Sequence, residues 1–305
     1  MIEKTQNNKH KVDFFVDLNS KFDIIAPQSK NYIKDTLCLI KNQLGLSSIL
    51  SIILFGSQAS KSRENSCISD CDLLIILKDN VSTSSLKKVE KYFYALEIKH
   101  NFREYNSNIL KKILFSIQQS TGMFVSHFLT KRKYCVNTKF HKIFNVNRVF
   151  SILFAPRKIV LGSVLSNNLT LYGIPLDEVI QNLSYPSIDM FKSLIMNLMI
   201  SLFSIFILPF KSLHAVKYQL EAVKWSLRAS NFYTCKRSKS LEEIIDQFIT
   251  KKTHMNFKLI KSDDTSFYTQ FLNLRKQPKD LLTFMLLAPW KIVKIHIKGF
   301  LLKKY

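Results

Sequence analysis

The chain is 305 residues long, near the size at which a single hydrophobic core stops growing, so two domains are expected. Its 47% hydrophobic content, with 24 Phe and 11 Tyr against 6 Gly and 7 Pro, excludes a disordered or fibrous protein. Forty-five Lys and Arg against 22 Asp and Glu give a net charge of +23, which favours polyanions or else describes a solvated Lys-rich exterior.

Residues 29–45 place Ile33, Leu37, Ile40 and Leu44 at helical spacing with Gly45 just beyond, the pattern of a helix with one buried face and a glycine stop. Residues 46–55, LSSILSIILF, read as a strand leading into Gly56. A second strand, CDLLIIL over 71–77, is too continuously apolar to face water on either side and is expected at the centre of a sheet. Residues 82–115 have helical spacing with a break near Asn106–Asn108, and 122–136 read as one or two further strands. A short strand over 169–174 is stopped by Pro175.

From residue 184 onward the pattern is almost wholly helical, over 189–208, 213–233, 240–250 and a last pair within 265–305. The run LIMNLMISLFSIFILPF, 194–210, is interrupted by Asn197, Ser201, Ser204 and Pro209. It is shorter than the roughly 20 apolar residues of a spanning helix, and it reads as a fully buried bundle helix. The fold class is therefore α+β: a mixed half with a small sheet, 1–182, followed by an all-α half, 183–305. Five irregularly spaced cysteines fit neither a disulfide framework nor structural zinc, and the first residues carry no signal-like apolar run. Both point to the cytoplasm.

Chemistry concentrates between the two apolar strands. Asp70 and Asp72 are two apart, so on a strand both carboxylates point to one face and offer hard oxygen donors suited to Mg²⁺. Gly56 lets the backbone approach a phosphate closely, and the Ser57 hydroxyl can donate to it. Lys61 and Arg63, in the loop between, are candidates for the phosphates and equally for solvated loop charges. Together these parts describe a site that grips a triphosphate and polarises it for in-line displacement.

In Phe55-Gly56-Ser57 and Ser69-Asp70-Cys71-Asp72-Leu73 the sequence resembles the nucleotidyltransferase superfamily that includes DNA polymerase β, and within it the aminoglycoside nucleotidyltransferases and other small nucleotidyltransferase domains. LTLYGIPL, 169–176, looks like the short closing segment of the aminoglycoside enzymes, and 222–243 like part of a helical C-terminal domain. The resemblance implies a nucleotidyltransferase domain over 1–182, with Asp70 and Asp72 ligating catalytic metal ions and Gly56 and Ser57 contacting the nucleotide phosphates. It also implies transfer of an NMP from an NTP, ATP foremost, to an acceptor hydroxyl. The acceptor is left open, with RNA and small molecules among the classes allowed, and a membrane is not an expected partner.

The sequence departs from that pattern at a third carboxylate, since GMFVSHFLT, the strand where the resemblance implies one, contains none. Glu97 is the best substitute if ALEIKH forms a short strand, against a solvated place on a helix. His127 on the candidate strand reads as a base or weak ligand, or as a hydrogen-bonded core histidine. Tyr218 and Trp225, seven apart on one helical face, suit packing before base stacking. Without a third carboxylate the alternative is a catalytically impaired module of the same fold that binds nucleotide or RNA.

Overall fold

The computed structural model describes residues 25, 27–59, 71–103, 109–181, 183, 187–237, 239–250 and 264–302. In chain order these form helix α1 (Pro27–Leu44), strand β1 (Ile49–Phe55), strand β2 (Asp72–Leu77), helix α2 (Thr83–Lys99), helix α3 (Ile109–Thr121) and strand β3 (His127–Lys131). Short helical turns at 132–136 and 140–143 lead to α4 (Arg148–Leu153), α5 (Arg157–Ser166) and strand β4 (Asn168–Gly173). After a further turn at 176–179 come α6 (Ser187–Ile207), α7 (Ala215–Cys235), α8 (Leu241–Thr250), α9 (Asp264–Lys276) and α10 (Leu282–Leu302).

The strands form one sheet in the order β3-β2-β1-β4. β1 is antiparallel to both β2 and β4, and β2 is parallel to β3. The two apolar runs occupy the centre because only there are both faces covered: Leu73 to Leu77 are all 0% exposed. On one face Tyr32, Ile33, Leu37 and Ile40 of α1 and Val89 and Phe93 of α2 pack on Ile52, Leu54, Leu73, Ile75 and Leu77. Each such side chain contributes about 2 kcal/mol by leaving water. Gly45 ends α1 at φ +78°, and its N–H bonds the Ile40 and Lys41 carbonyls at 3.1 and 3.2 Å.

The described residues fall into two compact units. The first holds those up to residue 59 with 71–147 and 167–181, hence the whole sheet with α1, α2 and α3. The second holds 148–166 and those from 183 onward, a helical unit in which α7 packs against α5, α6 and α10. The chain thus leaves the first unit at α4 and returns to it for β4. The sequence marks that return by the turn residues Asn167 and Asn168, the second of which opens β4, the strand that pairs with β1.

The stretch 122–136 makes one strand, the smaller of the two numbers expected, and after Lys131 it turns into a helix at Arg132 whose first turn is tied down by Lys133 N–H donating to Asp79 Oδ1 at 2.9 Å. One expectation changes. The run 194–210 is not buried all round: α6 covers it to Ile207, with one face inside and Leu202 and Phe206 outside, 57% and 75% exposed.

Candidate active site

β1 ends at Phe55, which lies opposite Asp72 on β2 and Asn168 on β4, so three strands bring their ends to one corner of the sheet. There the chain turns through Gly56 at φ +79°, a conformation that side chains disfavour, into the 3₁₀ turn Gly56–Ala59. A Cβ on Gly56 would overlap Asp72 Oδ2, so the glycine is required twice: by its backbone angle and by the carboxylate seated against it. The turn is fastened by Asn167, whose Nδ2 donates to the Gly56 carbonyl at 2.9 Å. Composition marked Asn167 only as a turn residue; its bond to a position 111 residues away leaves no local signal.

Of the sequence candidates, the structure thus brings Gly56 and Asp72 together. Ser57 follows Gly56 in the turn. Asp70, Lys61 and Arg63 lie outside the described residues.

Glu97 departs from both expectations, while His127 is the hydrogen-bonded core histidine that the sequence allowed. Glu97 is on helix α2, not on a strand, and is fully buried. Its Oε1 accepts from His127 Nδ1 at 2.7 Å and from the Ser126 N–H at 3.0 Å. Arg103 Nε lies 2.6 Å from Glu97 Oε2 but off the donor axis, an ionic contact rather than a hydrogen bond. The Arg103 guanidinium also rests over the Phe115 ring at 4.7 Å, tying the network to α3. His127 donates its other nitrogen, Nε2, to Glu90 Oε1 at 3.2 Å and stacks on Phe93 with ring centroids 4.3 Å apart.

Burial works against a charged imidazole, but the bonds to Glu90 and Glu97 and their charges outweigh it, and the His127 pKa is raised to about 9. Burial alone would raise the Glu97 pKa, yet His127 and Arg103 hold it below the ordinary value. At neutral pH this is an imidazolium between two carboxylates, with no lone pair left for a proton or a metal. Register confirms the separation from Asp72: His127 pairs with Leu73, whose side chain is in the α1–α2 core, and Asp72 alternates to the opposite face.

The register position beside Asp72 on the β3 side is Ser126, whose carbonyl accepts the Leu73 N–H at 2.9 Å. Its hydroxyl is buried and has no hydrogen-bond partner among the described residues. Among those residues no group of three or more His, Cys, Asp and Glu converges on one point. Among the described residues, this face carries the Asp72 carboxylate, in the notch that a Gly56 Cβ would fill, and the Ser126 hydroxyl at the neighbouring register position. Both are oxygen donors of the kind Mg²⁺ takes.

No family model and no curated protein matches the sequence. Among solved structures the chain is similar to spectinomycin adenyltransferase AAD(9) from Enterococcus faecialis, determined with ATP and spectinomycin. The TM-score is 0.52 at 9% identity, and the match covers 89% of this chain and 98% of that one. The likeness extends over both units, and the chain shares the fold of that adenyltransferase: an α+β unit and a helical one.

Proposed function

We propose that this chain is a magnesium-dependent nucleotidyltransferase that moves a nucleoside monophosphate from an NTP, ATP foremost, to an acceptor hydroxyl. The observation that carries this reading is the fit between Gly56 and Asp72, a turn and a carboxylate packed so closely that only glycine suits the turn. The fold likeness to an enzyme solved with ATP supports it.

In this reading Asp72 with Asp70 would hold the metal, and Ser126 would stand beside them. The Gly56–Ser57 turn binds the triphosphate through backbone N–H groups and the Ser57 hydroxyl, and Lys61 and Arg63 offset its charge. The acceptor oxygen bonds to the α-phosphorus as the bond to pyrophosphate breaks, and the hydroxyl proton is released to bulk water. When bound, Mg²⁺ supplies charge neutralisation on the phosphate oxygens and on the departing pyrophosphate. Glu97 and His127 take no proton, because their ion pair already uses both. Their part is to fix the leading end of β3 beside β2 through the Ser126 N–H. Since the neighbour was solved with spectinomycin, small hydroxylated molecules are the first acceptors to test and RNA ends the second.

A module that binds nucleotide or RNA without turnover is the second reading, favoured by one observation: Ser126, not a carboxylate, stands beside Asp72, and Glu97 is engaged on the other face. The pure protein incubated with labelled NTPs, Mg²⁺ and a panel of alcohols, spectinomycin and RNAs separates the two. A labelled acceptor whose formation is abolished by Asp72→Asn establishes the transferase. Mg²⁺-dependent thermal stabilisation by NTP with no product establishes the binding module.

A further inference from the structure

Helix α6 is built inside out. Asp189, Ser193, Asn197, Ser201 and Ser204 recur every three or four residues along one face; all are polar and all are buried. Ile188, Phe191, Met199, Leu202 and Phe206 form the opposite face; all are apolar and are 47–75% exposed. A helix between a core and water has the reverse distribution.

The polar face is satisfied from within the helical unit. Ser193 Oγ bonds His296 Nε2 of α10 at 3.1 Å, and Asn197 Nδ2 donates to Ser193 Oγ at 3.2 Å. Gln219 of α7 donates to Ser201 Oγ at 2.6 Å and accepts from Ser204. Close approach is part of the design, since a Cβ on Gly299 of α10 would press on Met190 and Ser230. On α10 the outward residues Leu282, Leu286, Leu287, Trp290 and Ile297 are likewise apolar and 48–57% exposed, over a buried face that is mainly apolar and includes Lys291, His296 and Lys298. Small residues and hydrogen bonds inside, with aliphatic and aromatic residues outside, is the arrangement of helices whose outer faces meet lipid.

We infer that this helical unit seats on an anionic phospholipid surface, with α6 lying in the plane of the boundary between headgroups and acyl chains. Charge selects this occupant over a second copy of the chain. The protein carries +23, and outside the buried Lys291 and Lys298 the two helices bear Lys192 and Lys294, with no carboxylate on either helix but the buried Asp189. Two such faces would repel each other, whereas an anionic bilayer supplies the opposite sign. Lys294 lies 5.8 Å over the Trp290 ring, and the pair combines an amphipathic ring and a cation suited to the headgroup level. The outward stripe from Ile188 to Phe206 runs about 27 Å at the usual helical rise. The other half of α6 is held by polar contacts to α7 and α10, so the helix is seated and does not cross. This departs from the partners expected on sequence, which did not include a membrane.

Flotation of the full chain tests the inference, using vesicles of phosphatidylcholine alone or mixed with phosphatidylglycerol. The variant to compare carries Leu202→Glu and Phe206→Glu, both at exposed positions, with its fold checked by circular dichroism. Flotation with the mixed vesicles only, reversed by salt and weakened roughly tenfold or more in the variant, is the expected result. Wild-type protein that stays at the bottom with both lipids, or a variant that floats as well as wild type, overturns it. So does a dimer in sedimentation equilibrium that the same variant splits, which would make this face a protein interface.

Discussion

His127 Nδ1 donates to Glu97 Oε1 at 2.7 Å, joining the first residue of β3 to the end of α2. A buried imidazolium and carboxylate stabilise each other only as a pair, so their titration is linked to folding. The His127 pKa is raised from 6.5 to about 9, so its contribution is complete below pH 6.5 and is lost as pH rises through 9. Glu97 is depressed from 4.5, so its contribution is present above that value and is lost as pH falls below it. Denaturant melts across pH should show stability of the sheet unit declining from pH 6.5 to 9. In His127→Gln the decline should vanish, at a cost of about 3–5 kcal/mol for leaving Glu97 underpaired. An alkaline decline unchanged in that variant would show that another group is responsible.

Gly56→Ala should separate the site from the fold. The new methyl meets Asp72 Oδ2 and forces a side chain at φ +79°, which costs about 1–3 kcal/mol. The change lies at one end of the sheet and leaves its strand pairing in place, so the circular dichroism spectrum should be retained while NTP affinity falls by about tenfold or more. Equal NTP affinity in Gly56→Ala, measured by calorimetry, would detach this turn from nucleotide binding.

In the helical unit His296 behaves oppositely to His127. Burial lowers its pKa to about 4, only partly offset by its bond to the Ile292 carbonyl at 2.9 Å. The neutral ring donates from Nδ1 to that carbonyl and accepts from Ser193 at Nε2. A depressed histidine contributes stability above pH 6.5 that is lost as pH falls towards 4. The midpoint of thermal unfolding should therefore drop over this range, and the drop should shrink in His296→Gln. An acid transition of the same size in the variant would place its origin in other groups.

How much of this could be read from sequence depended on whether the signal was local. The runs 46–55 and 71–77 announced central strands because an unbroken apolar stretch fits only where both faces are covered. The pairing of Gly56 with Asp72 was legible for the same reason, since strand ends place the turn and the carboxylate at one edge. Glu97 was not legible: ALEIKH reads the same whether the carboxylate meets water or a histidine arriving 30 residues later. For α6, hydropathy gave a long apolar helix but not which side its neighbours would cover. The interruptions at Asn197, Ser201 and Ser204 were the hint that the covered side was the polar one.

The central claim rests on Asp72. The most direct measurement is release of pyrophosphate and labelling of an acceptor by wild type and Asp72→Asn, with Mg²⁺ and α-labelled NTPs. Removing a ligand of the metal should lower transfer by about 10²-fold or more while leaving the unfolding midpoint near that of wild type. Transfer that proceeds equally well in Asp72→Asn would contradict the assignment of this corner as the active site.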